Sequence, residues 1–372
     1  MAKIRVLTVF GTRPEAIKMA PLVKELEKQP DVFKSIVCVT AQHRQMLDQV
    51  LKLFHIYPDY DLNIMKPNQD LWSITTEVLM LMKEVFDKSK PDIVLVHGDT
   101  TTSMAAALSA FYARIPVGHV EAGLRTFNKF YPFPEEINRV FADAVSSYHF
   151  APTDTSVQNL VNSSINNEHI YKTGNTVIDA LLHTVENNRA DLSYIGLNPD
   201  LKTILLTSHR RENFGEPIRN ICKAVLELVE KNKDIQVVYP VHLNPNVQQP
   251  VNELLAGKER IHLIAPMEYA PFCTLMKESH IIMTDSGGVQ EEAPSLGKPV
   301  LVLRTTTERP EAVEYGTVKL VGTDTQKIVN EVQKLLDNSD EYKKMSESVN
   351  PYGDGLASKR IVEIIQKEFA KE

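Results

Sequence analysis

One repeating pattern restricts the fold of this chain more than any other feature. A short, nearly continuous run of Val, Ile and Leu is followed by a polar loop and then by an amphipathic segment. In the first half the runs are Ile4–Phe10, 35–40, Ile93–His97, Val117–Val120 and Tyr148–Ala151. In the second half they are 203–207, 236–239, Ile261–Ile264, Ile281–Thr284 and 300–303. Runs that do not alternate with polar residues suit strands buried on both faces of a parallel sheet. The segments 14–28, 71–88, Glu216–Lys231 and 286–296 carry helical spacing. Strand-helix alternation predicts an α/β fold with parallel sheets. The series restarts near residue 203, after the polar stretch 190–202. Two Rossmann-like domains are therefore expected, 1–172 and 173–355, with a final helix at 356–372 packing back on the first. Two such domains would face a central cleft. In open sheets of this kind ligands sit beyond the carboxyl ends of the strands, so the loops there are where chemistry is sought.

Composition excludes several alternatives. The 372 residues suffice for two domains at roughly 150 residues each. The balance of 41 Lys+Arg against 48 Asp+Glu gives −7, with no basic block, so no nucleic-acid partner is expected. Cys38, Cys222 and Cys273 form no CxxC, which argues against a disulfide framework or zinc knuckle. His97, His119, His209 and His242 stand on separate motifs without metal-ligand spacing, so no metal is expected. No apolar run approaches the ~20 residues that span a bilayer, so no membrane partner is expected. Met1-Ala2-Lys3 leads into the first run without a signal-peptide pattern. The expectation is a reduced, cytoplasmic chain.

Five motifs follow strands. Gly11-Thr12-Arg13-Pro14-Glu15, with Lys18 one turn on, reads equally as an anion-binding turn or as an ordinary strand-to-helix junction. It is not GxGxxG, so no dinucleotide cofactor is indicated. In His97-Gly98-Asp99-Thr100-Thr101-Thr102, Asp99 suits acid/base work, but a helix cap by Asp or Thr is the commoner role. Glu121, in His119-Val120-Glu121-Ala122-Gly123-Leu124-Arg125, is expected to be partly buried with a raised pKa, or else to pair with Arg125. Glu135 and Glu136, in 132–139, open a helix, where acidic residues also favour the dipole. Ser208-His209-Arg210-Arg211-Glu212-Asn213 reads as an anion-contacting loop, or as a solvated basic one capped by Glu212. Thr284-Asp285-Ser286-Gly287-Gly288 offers several backbone N–H groups to a phosphate, with Glu292 placed for ribose hydroxyls and Arg309 able to close on the same phosphates. No Walker lysine follows it. The apolar run Leu79–Met82, inside a predicted helix, is read as core or as a dimer surface rather than as a cofactor contact.

Taken in order, GTRPEAIKMAP, HGDTTT, HVEAGLR, FPEEINR, SHRREN and TDSGGVQEEAPSLGKPVLVLR..TERPE resemble the non-hydrolysing UDP-N-acetylglucosamine 2-epimerases of bacteria. The likeness runs from about residue 4 to 369. It implies the two-Rossmann-domain architecture known as GT-B, a homodimer, no cofactor, and interconversion of UDP-GlcNAc and UDP-ManNAc that supplies ManNAc to cell-surface polysaccharides. It also implies elimination of UDP to a 2-acetamidoglucal, followed by re-addition. Carried over residue by residue, it marks Asp99, Glu121 and Glu135 as catalytic carboxylates and His209 as the group that assists UDP departure. Arg13, Lys18, Phe272, Ser286, Gly287, Gly288, Glu292 and Arg309 are marked for UDP.

Several bacterial members also bind UDP-GlcNAc as an activator. The matching residues are Gln42, Gln45, Arg210 and His242, with Glu135 nearby. Asn68 departs from this pattern, standing where relatives with this site can carry Arg. Three readings compete with the epimerase: a hydrolysing epimerase, a GT-B glycosyltransferase and a non-catalytic UDP-sugar sensor. All three predict UDP binding, and of them only the hydrolysing epimerase predicts exchange at C2.

Overall fold

The computed structural model describes residues 2–42, 44–66 and 69–370. Asn68 lies outside the described residues. The chain divides into two compact units, 1–180 with 352–372, and 181–351. The division falls inside the helix Thr176–Asn187.

The first unit holds seven parallel strands: β1 (Ile4–Phe10), β2 (Phe33–Val39), β3 (Tyr60–Asp61), β4 (Ile93–His97), β5 (Val117–Val120), β6 (Tyr148–Ala151) and β7 (Ile170–Lys172). Their order is β3-β2-β1-β4-β5-β6-β7. The second unit holds β8 (Lys202–Thr207), β9 (Ile235–Pro240), β10 (Ile261–Ile264), β11 (Ile281–Thr284), β12 (Val300–Val302) and β13 (Val318–Leu320), ordered β10-β9-β8-β11-β12-β13. Both are doubly wound Rossmann-like sheets, as the strand-helix alternation predicts. The order reverses between β1 and β4 in one unit and between β8 and β11 in the other. At those switch points the loops diverge and leave a crevice. Four of the five motifs sit there: Gly11–Glu15 and His97–Thr102 at the first, Ser208–Asn213 and Thr284–Gly288 at the second.

The strands that the sequence does not announce, β3, β7 and β13, are short edge strands of two or three residues. An edge strand pairs on one side only, so it needs no long apolar run. The predicted helix 286–296 is an α-helix only over Gly287–Glu292 and a 3-10 turn over Ala293–Leu296. Pro294 lacks the N–H that would continue the ladder. The helix Leu71–Ser89 begins at Asp70, whose carboxylate accepts from Ser73 N at 2.8 Å. In its apolar run Met82 is buried in the core while Met80 is 71% exposed. No helix among the described residues is long and apolar enough to cross a membrane.

Each sheet is covered by helices whose apolar faces pack against it. In the first unit Leu7, Val9, Val94 and Val96 pack with Val78, Met82, Ala106 and Ala110 from the two helices Leu71–Ser89 and Thr101–Tyr112. In the second, Leu206, Val237, Tyr239 and Met283 pack with Ile221, Val225 and Leu228 of the helix Glu216–Lys231. The last helix, Ala357–Phe369, belongs to the first unit, where Asp179 accepts from Ser358 N at 2.7 Å and Ala357 N at 3.2 Å.

Gly123 turns the chain out of the β5 loop at φ +87°, and a Cβ there would lie 2.3 Å from the carbonyl oxygen of Ser156. That contact is backbone and cannot swing away. Gly123→Ala is expected to cost about 3 kcal/mol, strain and overpacking together. Urea unfolding checks this: the midpoint should fall with an unchanged slope. An unchanged midpoint would show that the turn relaxes without cost.

Candidate active site

The first unit's site is built on a buried carboxylate. Glu15, 1% exposed, reaches back from the helix Arg13–Glu27. It accepts from the backbone N–H groups of Gly11 at 3.0 Å and Thr12 at 2.8 Å. It also accepts from the hydroxyls of Thr100 at 2.6 Å and Ser103 at 2.9 Å. One side chain thus binds the loop after β1 to the loop after β4. Gly11 is required by proximity: a Cβ there would meet Thr40 Oγ1 at 1.9 Å. Arg13 opens the helix, half-buried.

Thr100 caps the helix Thr101–Tyr112 by accepting from Ser103 N at 3.0 Å. The cap role therefore falls to Thr100, and the Asp99 carboxylate is bound instead by Arg139, while Asn138 Nδ2 donates to the Asp99 carbonyl at 3.0 Å. Behind this loop lies a buried chain. His119 Nε2 meets the Gly98 carbonyl oxygen at 2.7 Å and its Nδ1 meets Asp143 at 2.6 Å. Arg125 reaches the other Asp143 oxygen at 2.7 Å. Burial pushes the His119 pKa down, but Asp143 outweighs it and the net shift is upward.

Glu121 ends β5 in a left-handed conformation, φ 64°. It pairs with Lys18, accepts from Asn175 Nδ2 at 3.0 Å, and has His97 Nε2 at 3.6 Å. The expectation of a raised pKa is corrected: burial does oppose the charge, but Lys18 and then His97 outweigh it, holding the carboxyl well below its usual range. The expected Glu121–Arg125 pair is also corrected, because Arg125 belongs to Asp143. Glu135 starts the helix Glu135–Val145, half-buried, while its neighbour Glu136 faces inward and accepts from Thr126 N and Phe127 N at 2.9–3.0 Å.

The second unit repeats the construction with the opposite outcome in charge. Asp285, fully buried after β11, accepts from Ser208 Oγ at 2.8 Å, His209 N at 2.8 Å, Arg210 N at 2.9 Å and Asn213 Nδ2 at 2.9 Å. The SHRREN loop is folded around it. His209 stacks on His242 with ring centroids 5.6 Å apart, and burial lowers its pKa, with Asp285 opposing and His242 adding. The imidazole is therefore biased toward its neutral form.

Arg210 and Arg309 converge on the Ser-Gly-Gly turn. A Cβ on Gly287 would lie 3.6 Å from Arg210 Nη2 and 3.9 Å from Arg309 Nη2. Arg210 Nε is buried and has no partner among the described residues. Arg309 is also bound to Glu291. Glu292, 7% exposed, accepts from Tyr269 at 2.8 Å. Phe272 lies half-buried on the same helix as Tyr269, Tyr269–Glu278. The arrangement can hold a phosphate-bearing ligand: a glycine turn that opens the helix Gly287–Glu292, two guanidinium forks and a carboxylate for hydroxyls.

Thus Lys18 and Glu121 are brought together, and Asp99 and Glu135 occupy neighbouring loops of the same unit. Arg210, Arg309, Ser286, Gly287, Gly288 and Glu292 gather in the other. Of the residues marked for an activator, Gln42 and Gln45 lie on the first unit, where Gln42 Oε1 accepts from Thr102 at 3.1 Å and Gln45 is exposed. Arg210 and the exposed His242 lie on the second. No group of three or more His, Cys, Asp or Glu among the described residues could hold a metal ion. Sequence reasoning did not single out Glu15, His97, Arg139 or Asp285. Glu15 is the third residue of its helix after Thr12, a capping-box spacing that could have been read. Nothing in the sequence marks Arg139 as a partner of Asp99.

The family model for UDP-N-acetylglucosamine 2-epimerase matches residues 24–366. The UDP-N-acetylglucosamine 2-epimerase of Escherichia coli (strain K12) is 57% identical over 371 residues, covering 98% of each chain. The solved structure of a putative UDP-N-acetylglucosamine 2-epimerase from Listeria monocytogenes superposes with a TM-score of 0.94 at 51% identity, covering 100% of this chain and 98% of that one. The UDP-GlcNAc 2-epimerase of Neisseria meningitidis, solved bound to UDP-GlcNAc, has a TM-score of 0.87 at 55% identity, covering 98% of this chain and 100% of that one.

Glu121 supplies a stability test. Its folded pKa lies below the unfolded value near 4.5, so its ionised form stabilises the fold above that pH. The contribution declines as pH falls below 4.5, because the unfolded chain takes up the proton first. The unfolding free energies of the protein and of Glu121→Gln should differ most at pH 7 and converge as pH drops from 4.5 toward 3. A constant difference would mean that Lys18 and His97 do not hold the carboxylate charged.

Proposed function

This chain belongs to the UDP-N-acetylglucosamine 2-epimerase family, and we propose that it interconverts UDP-GlcNAc and UDP-ManNAc without net hydrolysis. The observation that carries the reading is Glu121, a buried carboxylate kept ionised by Lys18. A buried anion is costly unless paired. The pairing keeps Glu121 in the deprotonated form that accepting a proton requires, while the lowered pKa makes it a weak base until Lys18 turns to another partner.

C2 of the sugar is not adjacent to a carbonyl, so simple removal of its proton would leave a poorly stabilised carbanion. We assign the elimination route instead. The C2–H proton passes to a carboxylate, its electron pair forms the C1–C2 double bond, and the C1–O bond breaks to release UDP. UDP then adds back to C1 while C2 takes a proton on the opposite face. Two faces need two proton carriers, and we draw them from the three carboxylates Asp99, Glu121 and Glu135. His209, biased toward neutrality, is assigned to the departing diphosphate. The turn Ser286-Gly287-Gly288 with Arg309 is assigned to the diphosphate, Glu292 to the ribose and Phe272 to the uracil, with Arg13 and Lys18 facing the phosphate and sugar. Holding UDP as a tight leaving group is what separates this chemistry from hydrolysis. The product would supply ManNAc for cell-surface polysaccharide.

Proton NMR in deuterated water tests the reading. UDP-GlcNAc should become UDP-ManNAc carrying deuterium at C2, with little free UDP, and Glu121→Gln should slow this by about 10²- to 10⁴-fold. Free ManNAc plus UDP would move the protein to hydrolysis, and unchanged substrate despite UDP binding would refute epimerisation. For the activator reading, UDP-ManNAc supplied alone should show a lag that a trace of UDP-GlcNAc removes. Immediate full turnover would set aside the role given to Gln42, Gln45, Arg210 and His242.

A further inference from the structure

Arg304 stands just beyond β12 and is 5% exposed. Three of its five N–H groups bind carboxylates: Nε donates to Glu212 Oε1 at 2.5 Å, Nη1 to Glu308 Oε2 at 2.6 Å and Nη2 to Glu308 Oε1 at 3.0 Å. Glu212 lies two residues after Arg210, and Glu308 immediately precedes Arg309. Arg210 and Arg309 are the two guanidinium groups that flank Gly287.

We infer that Arg304 is a positioning residue for the nucleotide-diphosphate site, binding through Glu212 and Glu308 the two loops that carry Arg210 and Arg309. The inference rests on the proposed reading of that site as one for UDP. Two guanidinium groups aimed at one small turn repel each other until an anion arrives. Their loops leave different strands, β8 and β12, and Asn213 Nδ2 also links them by donating to the Leu303 carbonyl at 3.2 Å. Glu291 holds Arg309 from within its own side of the site, and a planar fork between two carboxylates adds the link that joins its loop to that of Arg210. The carboxyl of Glu308 is held down to about 2, first by its hydrogen bond from Arg304, so the pair is charged at any working pH. The unit of one guanidinium and two carboxylates carries a net −1, which offsets part of the repulsion between Arg210 and Arg309. Lysine could supply the charge but not the fork.

The rival role for Arg304 is direct contact with phosphate, and the two predict opposite signs. If Arg304 were a ligand, Glu308→Gln would release it and tighten UDP binding. As a clamp, its loss of Glu308 loosens Arg309 and weakens UDP.

Calorimetric titration with UDP on the full chain separates them. Arg304→Lys and Glu308→Gln are each expected to weaken UDP about tenfold, equivalent to about 1.4 kcal/mol. The double variant should be no weaker than the worse single, because both remove one clamp. The KM for UDP-sugar should rise more than kcat falls. Tighter or unchanged UDP binding in Glu308→Gln, or additive losses in the double variant, would overturn the inference. Hydrogen exchange on the ligand-free protein gives an independent readout. In Arg304→Lys the segments 208–213 and 305–309 should lose protection together, and unaffected exchange would refute the clamp whatever UDP does. If the unmodified protein bound no UDP while the two segments still loosened together, the clamp would stand and the nucleotide reading would fall.

Discussion

Each unit depends on one buried carboxylate at its switch point. A parallel sheet ends in loops that diverge, and their backbone N–H groups have no ladder partner. Water could satisfy them, but then the loops would be free to move. Glu15 collects two backbone N–H groups and two hydroxyls from the loops after β1 and β4. Asp285 collects two backbone N–H groups, a hydroxyl and an amide from the loop after β8. Both carboxylates are buried and taken up by these bonds. Each fixes a loop that carries residues assigned to the proposed chemistry.

With the loops fixed, the two units diverge in electrostatic character. The first presents carboxylates. Lys18 pairs with the buried Glu121 and Arg125 with the buried Asp143, so both stay ionised without leaving an unpaired charge, and Arg139 binds Asp99. The second presents the Arg210 and Arg309 guanidinium groups around a glycine turn, with Glu291 on Arg309 and with Glu212 and Glu308 on the neighbouring Arg304. A reaction that removes a proton from carbon and expels a diphosphate asks for these two environments. In this chain, therefore, compensation is part of how function is built: the residues that do not meet substrate set the charge state and aim of those assigned to meet it.

Much of this was legible in the sequence because it follows from periodicity and local geometry. The buried runs of Val, Ile and Leu give parallel strands, and Gly, Pro and short polar loops give the turns that end them. The segments 35–40, 203–207 and 236–239 lie within a residue or two of their strands. The edge strands β3, β7 and β13 were not legible, since pairing on one side imposes little on sequence. The helix break at Pro294 was readable in principle from its missing N–H. The charge state of Glu121 was misread because burial alone raises a carboxyl pKa, and the sequence does not reveal that Lys18, 103 positions away, comes to meet it. The pairing of Arg125 with Asp143 instead of Glu121 has the same origin.

The sequence by itself determined the strand-helix alternation, the placement of each motif after a strand, and the residue types available for acid/base and anion chemistry. These are properties of neighbours along the chain, where spacing and backbone preference act directly. Only the tertiary structure decided which charges meet: Glu121 with Lys18, Asp99 with Arg139, Arg304 with Glu212 and Glu308. Ion pairing falls off over a few ångströms and depends on burial, and both are set by how strands order themselves in the sheet.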